Sequence, residues 1–208
     1  MTETAKWYVK AGSCGDGVFS TRVRLARNLK QYPFPARASA SQREAVERQV
    51  KDALLSGNSI LSKEFRFVPL ENTTQEEAVS LVERHIVSPE FIADRRGKAV
   101  LIPADESISI MVNEEDHLRI QVLREGFSLK EAAETADRID TLLSENLDFA
   151  FDPELGYLTQ CPTNLGTGLR ASVMLHLPGL TERGAMPRIA SNLSKLVLPI
   201  RGPYGAAR

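Results

Sequence analysis

Residues 107–113 and 118–124 are two strand-length runs, largely apolar, separated only by Glu114-Glu115-Asp116-His117. Runs joined by so short a polar turn pair as an antiparallel hairpin, because parallel neighbours need a crossover of a dozen or more residues. The hairpin therefore commits the chain to a sheet that is antiparallel at its centre. Further strand-like runs lie at 18–25, 64–69, 98–103, 155–161, 171–177 and 196–201. Between them, three segments open with a hydroxyl residue three before a glutamate, the capping-box pattern. Ser41-x-x-Glu44 precedes Ala45, Val46, Val50, Ala53 and Leu54, with Gly57-Asn58 as the stop. Thr74-x-x-Glu77 precedes Ala78, Leu81, Val82 and Ile86, ending before Pro89, and Ser128-x-x-Glu131 precedes Ala132, Ala136, Ile139, Leu142 and Leu143. A fourth helix is expected between Thr181 and Lys195, with Gly184 and Pro187 blurring its start. No repeat, low-complexity tract or linker is evident. The fold class expected is α+β: a largely antiparallel sheet flanked by helices.

Composition narrows the function classes. A net charge of −1 over 208 residues gives no electrostatic reason to expect nucleic acid or an anionic membrane as partner. The first residues, Met1-Thr-Glu-Thr-Ala-Lys-Trp7, lack the apolar core of a signal peptide. No apolar run approaches the ~18–20 residues of a membrane helix. Two cysteines, Cys14 and Cys161, make no disulfide framework, so a reducing, cytoplasmic setting is the simpler expectation.

Chemistry concentrates in a few segments. In Cys161-Pro-Thr-Asn164-Leu-Gly166-Thr-Gly168-Leu-Arg170, the glycines permit positive φ and close approach of backbone to a ligand. Arg170 offers a planar fork of donors suited to phosphate or carboxylate. The bland reading is a Gly-rich turn with a buried, inert cysteine. On a strand, Arg22 and Arg24 project to one face, ~6.6 Å apart, a span that lets two guanidiniums hold neighbouring phosphates; an edge strand with salt-bridged arginines is the alternative. Glu114-Glu115-Asp116 alone would be an acidic turn tip in water, and His85 a structural or surface histidine. No Gly-x-x-x-x-Gly-Lys-Ser/Thr loop occurs, and no His/Cys/Asp cluster has zinc-ligand spacing.

Four segments together carry a resemblance. They are Ser20-Thr-Arg22-Val-Arg24-Leu-Ala-Arg27-Asn28, Val112-Asn-Glu-Glu115-Asp-His-Leu-Arg119, Cys161-Pro-Thr-Asn164 leading to Arg170-Ala-Ser-Val173, and Leu198-Pro-Ile-Arg201-Gly-Pro-Tyr-Gly205. In this order they resemble the signatures of the ATP:guanidino phosphotransferases, the creatine and arginine kinase family, over residues 7–205 or so. The resemblance implies a guanidino kinase catalytic domain over 1–208 with ATP and Mg²⁺ as cofactors, the metal carried by the nucleotide and not by a protein site. It implies an ATP site of Ser20, Thr21, Arg22, Val23, Arg24, His85, Arg119, Arg170, Ala171, Ser172, Val173, Met174, Arg201, Gly202, Pro203, Tyr204, Gly205 and Ala206. Arg22, Arg24, Arg119, Arg170 and Arg201 would clamp the triphosphate. Glu115 would be catalytic, aligning the substrate guanidinium and taking its proton, with Glu114 and Asp116 as hairpin neighbours. Cys161 would lie beside the guanidinium, where a nearby cation and the Thr163 hydroxyl favour thiolate.

Departures narrow the resemblance. Small-molecule phosphagen kinases carry a helical domain ahead of the first arginine strand, which is expected to be absent here, and read histidine where this chain has Met174. Both features, with Trp7, are similar to the family's bacterial protein-arginine kinases, which mark proteins for a Clp protease. Protein substrates with exposed arginine are then implied, with a zinc-binding activator, a Clp unfoldase and a stress-response repressor as partners. Ala206 stands where the family has a second catalytic glutamate, and the chain stops at Arg208, ahead of the rest of the sheet and a small dimerisation and phosphoarginine-recognition domain. A partial domain is therefore expected, either as a fragment or frameshifted end or as a degenerate relative. An impaired nucleotide-binding or interaction module, and a kinase for a free guanidino compound, remain as alternatives.

Overall fold

A computed structural model describes residues 4–56 and 63–202. In chain order it contains β1 (Val18–Arg27), α1 (Ala40–Leu55), β2 (Phe65–Pro69), α2 (Gln75–Glu83), β3 (Ala99–Pro103), β4 (Ile108–Val112) and β5 (Leu118–Glu125). Then come α3 (Leu129–Ser144), the short β6 (Phe151–Asp152) and β7 (Gly156–Tyr157), β8 (Leu169–Leu175), α4 (Pro178–Glu182) and α5 (Met186–Ser194). Six strands form one sheet in the order β2-β3-β4-β5-β1-β8, and every pairing is antiparallel. The expected hairpin is its centre, with Val112 opposite Leu118 and Ile110 opposite Ile120.

Alternation along the strands assigns the two faces. Val23 and Leu25 of β1, Ile108, Ile110 and Val112 of β4, and Leu118, Ile120 and Val122 of β5 point to the side covered by α1 and α3. Helix α3 supplies Ala132, Ala136, Ile139 and Leu143 at spacings of three and four, so a single stripe meets the sheet. Fully burying a side chain such as Ile139 or Leu143 is worth ~1.5–3 kcal/mol, which fixes α3 against β1 and β5. On the other side, Val100, Ile102 and Met111 of β3 and β4 are covered by Leu81 of α2 and by Ile86, Val87 and Phe91 after it. No described helix is long and apolar enough to cross a membrane.

Several local expectations are corrected. Helix α1 is capped by Ser39, whose side chain accepts from Gln42 N while the Gln42 side chain accepts from Ser39 N; the Ser41–Glu44 box does not form, because the helix starts two residues earlier and Ser41 lies inside it. The proposed stop at Gly57-Asn58 lies outside the described residues. Thr74 and Glu77 do form their box. Ser128 precedes α3 without capping it, because its hydroxyl donates instead to Glu125 O at 3.1 Å. The fourth helix is split into α4 and α5 by Gly184 at φ +64°. The run 155–161 keeps strand form only at Gly156–Tyr157, and 196–201 is not a strand: Val197 sits at φ +59° and Leu196, Val197 and Leu198 are exposed.

Candidate functional site

Pairing register brings the arginines together. Arg24 of β1 stands opposite Arg170 of β8 on one side and Gln121 of β5 on the other, while Arg22 stands opposite Ser172. Directly opposed residues of antiparallel strands share a face. Ser20, Arg22 and Arg24, Arg119 and Gln121, and Arg170, Ser172 and Met174 therefore line one surface, away from the α1–α3 core. Thr21, Val23, Ala171 and Val173 alternate with them and point to the other face. Val23 is packed in the core, and Thr21 is buried with its hydroxyl donating to Gly126 O at 2.7 Å. The side chains of these four residues therefore face away from the arginine surface.

The cage is electrostatically costly without a ligand. Burial first, then the charges of Arg119 and Arg170, push the Arg22 guanidinium below its ordinary value. Arg24 is pushed down to about 9, by burial first and then by Arg22, Arg119 and Arg170, with Glu114 opposing. Arg22 Nε donates only to Ser172 Oγ, at 3.3 Å. Among the described residues, no acceptor hydrogen-bonds the Arg24 or Arg170 guanidinium. Crowded, half-buried donors of one sign without acceptors form a built anion site.

Arg119 is held differently. Its Nη2 lies 2.7 Å from Glu114 Oε2 and 3.7 Å from Glu115 Oε2. Glu114 is further fixed by Ser88 Oγ and by Glu115 N, both donating at 2.9 Å. Glu114 is thus more than a hairpin neighbour: it sets the position of Arg119. The sequence carried a weak signal for it, a carboxylate one hairpin turn from an arginine, and none for Ser88. Glu115 is more open, its side chain 37% exposed. Burial, then the charge of Asp116, raises its carboxyl above the ordinary value, against the pull of Arg119.

His85 follows α2 in the left-handed region at φ +58°, and its carbonyl accepts from Gln121 Nε2 at 2.9 Å. That bond ties it to the arginine face. Its imidazole pKa is lowered, by burial first and then by Arg22. Arg201 and Gly202, expected to extend the clamp, are exposed at the end of the described residues. Pro203, Tyr204, Gly205 and Ala206 lie outside the described residues.

The cysteine segment is fastened beside this face. Cys161 precedes a short 3₁₀ turn, Pro162–Asn164, and its Sγ lies 3.0 Å from Thr163 Oγ1. Gly166 and Gly168 adopt φ +103° and +65°. A Cβ on Gly168 would come within 2.6 Å of Ala26 O and Arg27 Nη1, so only glycine lets the loop reach β1. Arg27, 3% exposed, binds both Asp140 oxygens, stacks 3.5 Å from the Tyr157 ring centroid, and donates to Thr167 O at 3.0 Å. Asp116 Oδ1 accepts from Asn28 Nδ2 at 2.6 Å and Gln160 N at 2.8 Å. Sequence reasoning missed these supports, which no local pattern announces.

Comparison with known proteins agrees with this geometry. Residues 45–208 match the family described as ATP:guanido phosphotransferase, C-terminal catalytic domain. The protein-arginine kinase of Caldanaerobacter subterraneus subsp. tengcongensis is 45% identical over 190 residues, covering 91% of this chain and 56% of the relative. That of Symbiobacterium thermophilum is 48% identical over 205 residues, covering 97% and 57%. The chain thus spans little more than half the length of these curated relatives. Among solved structures, the duplicated taurocyamine kinase from Schistosoma mansoni with bound transition state analog components superposes with TM-score 0.83 at 26% identity, covering 99% of this chain and 30% of that one. A lombricine kinase superposes with TM-score 0.71 at 26% identity, covering 86% and 55%.

Proposed function

This chain belongs to the ATP:guanido phosphotransferase family, and from that premise we propose that it transfers the terminal phosphoryl group of ATP to arginine side chains of proteins. The observation that carries the reading is the cage: Arg22, Arg24, Arg119 and Arg170 share one sheet face, and two of them lack any acceptor among the described residues. A polyphosphate supplies the acceptors and the negative charge that this face lacks. Phosphoryl transfer asks the protein mainly for positioning and charge stabilisation, which four guanidiniums on one sheet face would provide. Mg²⁺ on the nucleotide would neutralise part of the phosphate charge; the described residues hold no group of three side chains suited to a metal ion.

The acceptor end is built from carboxylate and thiol. A free guanidinium is protonated at neutral pH, with pKa above ~12, so its nitrogen attacks only as a proton leaves. Glu115, its affinity for protons raised by burial, accepts hydrogen bonds from the guanidinium and then its proton. The nitrogen forms the new N–P bond while the bond from phosphorus to the bridging oxygen of the diphosphate breaks. Cys161 and Thr163 flank the guanidinium. Protein rather than free arginine as substrate rests on curated relatives named protein-arginine kinase and on Met174. The Clp-linked partners and the cytoplasmic setting belong to the same reading.

The test is incubation of the chain with labelled ATP, Mg²⁺, an arginine-rich protein and free arginine. Label on the protein is the expected result. Label on free arginine alone would assign a kinase of small guanidino compounds. A rise in melting temperature with ATP·Mg²⁺ but no transfer would leave a nucleotide-binding module, and neither response would overturn the reading altogether.

A further inference from the structure

We propose that Asn28 and Asp116 are positioning residues that fix the distance between Glu115 and Cys161, so that the two grip one guanidinium. The inference rests on the guanidino-kinase reading for what is gripped, and on geometry for the grip itself. Asn28 lies just past the end of β1, 1% exposed, and uses its whole amide. Its Oδ1 accepts from His117 N at 2.9 Å, holding the acidic turn. Its Nδ2 donates to Asp116 Oδ1 at 2.6 Å and to Leu158 O at 3.0 Å. The same Asp116 oxygen accepts from Gln160 N at 2.8 Å.

The Asp116 carboxylate, next to Glu115, is thus joined to Gln160, next to Cys161, across 44 positions of sequence. The Asn28 carbonyl also accepts from Ala150 N at 2.7 Å, and Ala150 O from Leu158 N at 2.9 Å, bracing the approach to the cysteine segment. No other side chain of this length is neutral and offers two donors and an acceptor. Aspartate at position 28 would set a second carboxylate against Asp116, and a leucine would remove the partner of His117 N and of Leu158 O and leave Asp116 Oδ1 with Gln160 N alone.

A pair that merely holds the fold together would affect both substrates alike; a pair that spaces Glu115 from Cys161 affects the guanidino end alone. Three variants of the full chain separate these cases: Asn28→Asp, Asp116→Leu, and the exchanged pair Asn28→Asp with Asp116→Asn, which restores an amide–carboxylate bond with the donor on the opposite side. Two readouts apply: ATP·Mg²⁺ affinity by calorimetry, and the rate of Cys161 alkylation by iodoacetamide, with exposed Cys14 as internal reference. The single variants are expected to change the Cys161 rate threefold or more relative to Cys14 and to leave ATP affinity within twofold. The exchanged pair is expected to return the Cys161 rate toward the parent value, which also answers the case in which one single variant fails to fold. An unchanged Cys161 rate in a folded single variant, or equal losses at ATP and Cys161 that the exchange does not repair, would overturn the proposal. Protection of Cys161 by an arginine-containing peptide in the parent chain tests the guanidino reading separately, since the alkylation comparison needs no ligand.

Discussion

Replacing Arg24 by methionine should make the ligand-free protein more stable and abolish its response to ATP. Arg24 stands between Arg170 and Gln121, with Arg22 and Arg119 adding their charge to its burial, and its pKa falls well below the ordinary arginine value, to about 9. At ~1.36 kcal/mol per pKa unit that displacement corresponds to on the order of 5 kcal/mol of unfavourable charge in the folded state. Partial exposure and local relaxation reduce it; replacing buried charges by apolar groups of similar volume gains ~1–4 kcal/mol where it has been tested. We expect Arg24→Met to gain ~1–3 kcal/mol, or roughly 2–4 °C of melting temperature per kcal/mol for a domain of this size. The sign of the pH dependence follows from the same shift. Between about pH 9 and 12.5 the unfolded chain keeps the Arg24 proton and the folded chain does not, so parent stability rises with pH in that window. The variant should lose that slope. With saturating ATP·Mg²⁺ the order reverses: the parent gains stability by mass action and the variant does not. Thermal unfolding with and without nucleotide reads both effects. An Arg24→Met protein less stable than the parent without ligand, or one still stabilised by ATP, would refute the cage as an unsatisfied anion site.

Glu115→Gln should lower phosphoryl transfer by ~10²–10⁴, the usual cost of removing a general base, while the thermal shift with ATP·Mg²⁺ stays as in the parent; loss of that shift would put the carboxylate in the nucleotide site. His117 accepts from Leu29 N through Nδ1 and pairs with Pro33 O through Nε2, and burial pushes its pKa down to about 4, against the Pro33 bond. The unfolded chain therefore binds the extra proton between pH 6.5 and 4, and on the order of 3 kcal/mol of stability is lost as pH falls through that window; urea midpoints should show the loss in the parent and a shallower slope in His117→Gln.

What the sequence made legible was whatever depends on period and register. The two-residue alternation in Ser20–Arg24 and Leu118–Gln121 already separates core from site, and the structure keeps it, with Val23 and Ile120 inside and Arg22, Arg24 and Arg119 outside. The misses have a different physics. Ser39 and Ser41 each have a side chain three residues on that can complete the box, and the helix starts at the earlier of the two, a shift of two residues. The apolar run 196–201 reads as a strand but finds no partner strand among the described residues. Glu114, Asn28 and Asp116 matter through bonds that cross from one loop to another, and no local spacing encodes those. Asp116 and Gln160 meet only because β1 ends where the acidic turn and the cysteine segment converge.

The position of the site follows from where one layer of the fold stops. On the face opposite α1 and α3, Val100, Ile102 and Met111 are sealed by Leu81, Ile86, Val87 and Phe91. One strand further, the same face becomes Arg119 and Gln121, then Arg22 and Arg24, then Arg170 and Ser172. Gln121 marks the boundary, its amide donating to His85 O at the end of the covering segment, and Ser109 beside it donates to Ile86 O at 2.6 Å. These bonds satisfy the His85 and Ile86 carbonyls at the edge of the covering layer, and no described helix packs its apolar side chains over the arginine half of that face. An apolar face exposed in this way would seek another protein surface; a face of uncompensated guanidiniums stays open to water and selects an anion. Among the described residues, the charges lie on a part of the sheet that the described helices leave open, and on the proposed reading the cost of crowding them there is offset when phosphates bind.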